Sequence, residues 1–343
     1  MRNERSLQAI FHLLTGKQAI QTIQDAHLFG IRRYYALYKG LTNDSFNEHV
    51  QMLIDRGYVV IDEDGQYRIA QASNTWLAEL ALSTYDWDGM TYHRFDTIFY
   101  ERLLLFIQVW TNKQAQNSRY IPIIERPDIF TWIKRYYRMN HYRIHLQLKQ
   151  LYDELLDIFM LLPELYPQLF IRHITTATTI GQTNEQLASQ FNRTISDIYL
   201  LQMHYIHFML RNILSDHTRY PLLYEFVADI KWDDRNQMVT KSAQETFLLV
   251  EKGYTPEQIA RHRQLKLTTI YDHIVEIALH HRQFPIDRFV SEAIQAEIRE
   301  AAQSLNTFTL KAIKRAVRDE ISYFQIRLTL TTLQREVGDQ HVD

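Results

Sequence analysis

The sequence predicts a mostly α protein built from helix-turn-helix and winged-helix units, with one short β-hairpin near the N-terminus. Three observations predict it. A short word recurs 72 residues apart, as Thr183-Asn-Glu-Gln-Leu-Ala188 and Thr255-Pro-Glu-Gln-Ile-Ala260, each followed ten residues after its alanine by Ile-Tyr. In 343 residues, 9 Gly and 7 Pro stand against 21 Tyr and 17 Phe, a balance that suits helices with few interruptions. Only Tyr58-Val-Val-Ile61 and Tyr67-Arg-Ile69, either side of Asp62-Glu-Asp-Gly65, read as strands about a turn.

Residues 1–72 read as a winged-helix-like unit. Leu7, Ile10, Phe11 and Leu14 make one helical stripe, and Ile20, Ile23, Ala26, His27 and Phe29 a second. Thr42 or Asn43 caps a third helix with Phe46, Val50, Leu53 and Ile54 inward, and Gly57 ends it. The hairpin follows as the wing. It carries Asp62, Glu63 and Asp64, and the preceding helix carries Asp44, Glu48 and Asp55. A phosphate backbone is repelled by such a surface, so the unit reads as scaffold or protein contact rather than a DNA reader.

Residues 73–235 read as a helical middle domain, with apolar-aromatic stretches at Phe99–Trp110 and Leu151–Leu162 and breaks at Pro163, Pro167 and Pro221. The first copy of the repeated word falls here. Its second helix, Ile198 to Leu210, is apolar nearly all round, which marks a buried, degenerate helix-turn-helix. The polar Lys231-Trp-Asp-Asp-Arg-Asn236 stretch suggests a boundary near 236.

Residues 236–335 read as a C-terminal helix-turn-helix domain. Thr240 or Ser242 opens a helix with Phe247, Leu248 and Val250 inward and Gly253 as its stop. Thr255 then caps the next helix, Pro256 suits its first position, and Gln258 stands where a capping box needs its partner. Ala260 is small where two short helices cross. After the turn Gln264-Leu-Lys-Leu267, Ile270, Ile274 and Ile277 or Ala278 supply the apolar face of a second helix. Helices near 286–303 and 308–318 follow, then one holding Tyr323, Ile326, Leu328 and Leu330, and a frayed tail over 336–343.

The net charge is −2, so no global basic field exists and any nucleic-acid contact must rest on local patches. In the second repeat Arg261, Arg263 and Lys266 cluster about the turn, and Thr268, Thr269 and Tyr271 open the second helix. These are the candidate DNA contacts: cations to position the backbone, short polar groups and a phenol to approach sugar or base edges. Asp272 and Glu276 on the same helix count against deep groove insertion. A second candidate patch comprises Lys134, Arg135, Arg138 and Arg143, in the run from Trp132 to Lys149 that holds no carboxylate. Cations beside aromatics suit single-stranded nucleic acid, although the simpler reading places Trp132, Tyr136 and Tyr137 in a core with the cations facing water. Lys311, Lys314, Arg315 and Arg318 could extend the basic surface or simply solubilise a helix.

Enzyme signals are absent: no GxxxxGK[ST], GxGxxG or GxSxG occurs. His141/His145 and His204/His207 lie at helical spacing but lack an evident third ligand, so packed neutral histidines are expected rather than a metal site. No cofactor is implied. Asp153, Glu154 and Asp157 read as a solvated helix edge. With no cysteine, no signal-like N-terminus and no apolar run of membrane-spanning length, the expectation is a cytoplasmic protein, nucleoid-associated if bound to DNA.

The stretches Glu245 to Ala260, Leu265 to Ile270, Asp272 to Val275 and Ile321 to Leu328 resemble the helix-turn-helix domain often found at the C-terminus of RecQ-type DNA helicases. With Ile10 to Leu14 and Gln21 to Phe29 added, the chain resembles the YpbB-like proteins of low-GC Gram-positive bacteria, encoded beside a RecQ-type helicase. The resemblance implies a free-standing accessory module for a helicase lacking this domain, acting on forked or single-stranded DNA in repair or replication. It carries over no catalytic residues. The near-neutral charge and acidic wing depart from the pattern of a strong DNA binder. A sequence-specific transcriptional regulator and a pure protein-interaction scaffold are the alternatives.

Overall fold

The computed structural model describes residues 4–63, 67–71, 73–80, 82–230, 239–281 and 283–338. The chain opens with α1 (Leu7–Thr15), α2 (Ile20–Leu28) and α3 (Asn43–Asp55), then β1 (Val59–Ile61), β2 (Tyr67–Ile69) and α4 (Ser73–Glu79). Next come α5 (Gly89–Tyr92), α6 (Asp96–Gln114), α7 (Pro127–Asn140), α8 (Ile144–Phe159) and α9 (Leu165–His173). They are followed by α10 (Asn184–Phe191), α11 (Ile195–Ser215) and α12 (Pro221–Glu225). The last group is α13 (Lys241–Glu251), α14 (Pro256–Arg263), α15 (Leu267–His280), α16 (Glu292–Ser304), α17 (Leu310–Ala316) and α18 (Tyr323–Gly338). The protein is mostly α, and its two strands pair antiparallel as Val59↔Ile69, Val60↔Arg68 and Ile61↔Tyr67.

These elements form two compact units, one joining Met1–Leu80 to Trp232–Asp343 and the other comprising Ala81–Lys231. The first and last stretches, read from sequence as separate units, therefore share one body. The boundary stretch 231–236 and the wing residue Asp64 fall outside the described residues. So does the end of the tail, 339–343, while α18 itself continues past Glu336 to Gly338.

The joint is made by α2. It buries seven consecutive residues, Thr22 to Leu28, against α15 and α18. Gln24 Nε2 donates to the Arg327 carbonyl at 2.9 Å, and Arg327 Nε donates back to Gln24 Oε1 at 3.3 Å. Asp25, 2% exposed at its side chain, is neutralised by Arg5 at 2.8 Å. Glu4 accepts the Phe308 N–H at 2.8 Å, and Phe29 meets the Phe308 ring edge-on. Leu28 thereby joins the core of the C-terminal helices, with Ile259, Ile270, Ile274, Ile277, Ile298 and Ile326.

In this body α15 is the innermost helix, touched by α2, α13, α14 and α18. Residues 273–278 are buried without a break, which a helix shows only when it is covered on every side. Helix α13 buries Ala243, Thr246 and Val250, at helical spacing. Leu248, expected inward, falls on the opposite side and is 58% exposed. Thr42 caps α3 by accepting the Ser45 N–H, and Gly57, at φ 70, ends its last turn before the hairpin.

The second unit is built around α6, whose Phe99, Leu103, Leu105, Phe106 and Trp110 are fully or almost fully buried. Trp132 is buried here too, stacked on Tyr136, so the inward half of the basic-aromatic run is core. The acidic edge on α8 is not simply solvated. Glu154 is buried, and its carboxylate accepts the Leu222 and Leu223 N–H groups at 3.1 and 2.9 Å, capping α12. Asp157 accepts from Arg219 and the Tyr220 hydroxyl, while Asp153 pairs with Lys149. On α11, His204 Nδ1 accepts the Asp86 N–H at 2.7 Å and His207 Nδ1 the Asp88 N–H at 3.0 Å. Those nitrogens are thereby committed to backbone donors.

Two stability predictions follow from the first unit. A Cβ on Gly16, at φ 75, would stand 2.4 Å from the Ala36 Cβ, whereas Gly57 faces open space. In urea unfolding, Gly16→Ala should cost about 2–4 kcal/mol and Gly57→Ala only about 1 kcal/mol. Burial, helped by nearby Arg32, pushes the His27 pKa down to about 3 from 6.5. Between those values the unfolded chain takes up a proton that the folded chain refuses. Stability should fall with acidification, His27 contributing up to ~1.4 kcal/mol per pH unit, and His27→Leu should flatten that slope.

Candidate nucleic-acid interface

The two copies of the repeated word fold by the same local rules. Thr183 and Thr255 each accept an N–H from the glutamine three residues on, and Gln186 and Gln258 each reach back to the threonine N–H. Both first helices then end on a left-handed residue that is not glycine, Asn192 at φ 51 and Gln264 at φ 53. The next N–H closes on the alanine of the word, Arg193 to Ala188 at 2.9 Å and Leu265 to Ala260 at 3.0 Å. Both alanines are buried where the paired helices cross. The second helices resemble each other more than their sequences suggest. In α11 every residue from Leu201 to Leu210 is buried, and in α15 every residue from His273 to Ala278.

The candidate contacts separate into two groups. Arg261 and Lys266 are exposed on either side of the turn, Thr268 is exposed, and Thr269 is half-buried. Together with the exposed left-handed Gln264 they make a small polar and cationic tip. Gln264 was read only as a turn residue, and its match to Asn192 in the repeat was the available signal. Arg263 lies elsewhere. Its guanidinium donates to the Ser242 carbonyl at 2.6 Å, to Thr246 Oγ1 and to Glu245 at 2.8 Å, leaving the side chain 11% exposed. It clamps α14 to α13. Tyr271 stacks on Phe324 with ring centroids 4.0 Å apart, and burial, with Glu257 nearby, raises its phenol pKa.

The two acids that counted against deep groove insertion are both engaged within the protein. Glu276 is buried and accepts the Thr240 N–H and, at 3.1 Å, the Thr240 hydroxyl, anchoring the start of α13. Asp272 pairs with Arg327 at 2.6 Å. No sequence pattern announced either contact, because each joins residues far apart in the chain. His273 accepts a place in the same interior: its Nδ1 lies 2.8 Å from Thr246 Oγ1, and burial beside Arg263 lowers its pKa.

The remaining basic residues lie in separate places. Lys311 and Arg315 are exposed on α17, Lys314 donates to the Asp319 carbonyl, and Arg318 is held by Glu297 at 2.8 Å. In the second unit Lys134, Arg135, Arg138 and Arg143 are all exposed, with Arg135 3.3 Å from Asp229.

Among the described residues, no helix is long and apolar enough to cross a membrane. The family described as "Helix-turn-helix domain" matches residues 242–330, which suggests DNA binding, and with the mostly helical fold it points to a non-enzyme. No solved structure matches the chain. Protein YpbB of Bacillus subtilis (strain 168) is 30% identical over 337 residues, spanning 96% of this chain and 94% of that protein. Similarity that runs through both units, beyond the helix-turn-helix alone, places the chain in the YpbB family.

Proposed function

We propose that this protein is a non-enzymatic DNA-binding accessory factor that works beside a RecQ-type helicase in DNA repair or replication. The observation that carries the reading is the tip of the second helix-turn-helix. There Arg261 and Lys266 stand exposed beside Thr268 and Thr269, while Asp272 and Glu276 are engaged by the protein itself. The two cations neutralise backbone phosphates, and the threonines and Gln264 approach sugar or base edges from the start of α15. Arg263 and Tyr271 serve the site by holding α14 and α15 in place.

So small a tip supplies modest affinity and little sequence reading, which favours forked or single-stranded DNA over a specific duplex. A partner already on the DNA would raise the local concentration of the second site. The resemblance of the C-terminal domain to the one in RecQ-type helicases supports a helicase in that role. The covering of α15 on every side favours one other reading, a protein-interaction scaffold that never meets DNA.

Fluorescence anisotropy with duplex, single-stranded and forked DNA separates these readings. The double variant Arg261→Glu/Lys266→Glu should weaken duplex and fork binding more than tenfold and reduce the log–log salt slope by about 2. Arg263→Ala should instead lower stability by about 1–3 kcal/mol, with DNA affinity preserved in the folded fraction. Unchanged duplex binding in the double variant would remove the helix-turn-helix as a DNA contact, and no binding of any form by the parent chain at low salt would leave only the scaffold. Adding a purified RecQ-type helicase should tighten binding to forked DNA, and an unchanged affinity would remove the helicase from the reading.

A further inference from the structure

The longest acid-free basic stretch is not in the helix-turn-helix. Residues 129–152 contain no carboxylate yet carry Lys134, Arg135, Arg138, Arg143 and Lys149, in a chain whose net charge is −2. The fold divides this run. Trp132 and Tyr136 stack at 5.1 Å and pack toward Trp110 and Phe226, so those aromatics are committed to the core. The three-residue 3-10 turn His141–Arg143 then makes an elbow between α7 and α8. There the pattern inverts: Tyr142 is 67% exposed, between Met139 at 65% and Leu146 at 70%.

The cations at the elbow differ from those at its flanks. Arg135 pairs with Asp229, Lys149 with Asp153, and Lys134 lies over the Phe130 ring. Arg138 and Arg143 form no ion pair among the described residues, and the Arg143 guanidinium sits 5.1 Å from the Tyr142 ring centroid. Apolar exposure alone would suit many partners, and cations alone any polyanion. An exposed ring with one guanidinium over it, and a second exposed arginine four residues earlier in an acid-free run, suits a ligand that offers flat faces and phosphates together. In a duplex the base faces are hidden in the stack, while a single strand presents them.

We infer that the α7–α8 elbow is a separate single-stranded nucleic-acid contact, in which Tyr142 stacks on a base and Arg138 and Arg143 hold the flanking phosphates. It goes beyond the helix-turn-helix reading and stands on the other unit. The two can therefore fail independently.

The test uses the full chain and a fluorescein-labelled oligothymidylate of about 16 nucleotides, within the footprint such sites cover. Its controls are an abasic backbone of equal length, a hairpin duplex and phosphatidylglycerol vesicles. Tyr142→Ala should weaken oligothymidylate binding about tenfold, Tyr142→Phe should retain it, and the abasic strand should bind about tenfold more weakly. Arg138→Glu/Arg143→Glu should weaken it at least as much, with duplex binding unchanged. All three side chains are exposed, so circular dichroism should show the folded parent spectrum throughout. The inference is overturned by parental affinity in Tyr142→Ala or by equal binding of the abasic strand. It also fails if vesicles are preferred to the oligonucleotide, which would make the elbow a lipid contact. In the Arg261→Glu/Lys266→Glu background the tenfold effect of Tyr142→Ala on oligothymidylate binding should persist, and complete loss of binding in that variant alone would assign all binding to the helix-turn-helix.

Discussion

The burial of α15 on every side is the constraint from which the rest of the first unit follows. Ile270, Ile274, Val275, Ile277 and Ala278 are all 0% exposed, and each large aliphatic group among them is worth about 1.5–3 kcal/mol when removed from water. Drawing this helix out to lie along a DNA groove would forfeit something on the order of the whole stability of a domain. The covering helices are accordingly fixed. α2 closes one side through Gln24 and Arg327, α13 closes another through Thr240 and Glu276, and Arg263 clamps α14 beside them. What remains for a ligand is the end of the helix rather than its face.

That division also explains why the two repeats differ less than their sequences imply. A capping box, a left-handed turn residue and a small alanine at the crossing are local devices, and each copy has all three. Devices of this kind stabilise a helix pair by about 1 kcal/mol apiece and say nothing about what the second helix meets. In the first copy α11 is covered along its centre, and its histidines accept backbone N–H groups from Asp86 and Asp88. In the second copy the same burial leaves a few polar residues at one end. Both second helices open to solvent at their first turn, and they differ there in composition, with Ile195, Ser196 and Asp197 in the first copy against Leu267, Thr268 and Thr269 in the second.

The parts legible in the sequence are those governed by neighbours in the chain. Thr255 and Gln258 form the predicted capping box, Gly57 and Gly253 end the helices they follow, and the hairpin pairs where its alternation places it. The exposure of Arg261, Lys266 and Thr268 was legible, as hydrophilic turn residues should face solvent. Arg263 was not, because its partners Ser242, Glu245 and Thr246 sit on the preceding helix and leave no periodic trace. Glu154 was misjudged for the same reason, and the partners of Asp272 and Glu276 were equally hidden. A carboxylate's role is set by whichever distant donor reaches it, and charge patterning along one helix cannot register that donor.

The union of the two chain ends has a temporal side. Because residues 1–80 and 232–343 make one body and 81–231 another, the second unit is an insertion within the first. Gln24 and the Arg327 carbonyl it binds are separated by 303 positions. At ribosomal rates of roughly 5–20 residues per second, α2 emerges about 15–60 s before α18 exists to cover it. The inserted unit has every contact it needs once its own last helix is made, whereas the first must wait for nearly the entire polypeptide. Synthesis thus runs from the N-terminus, but consolidation begins in the middle, with α2 waiting in solvent for its partner.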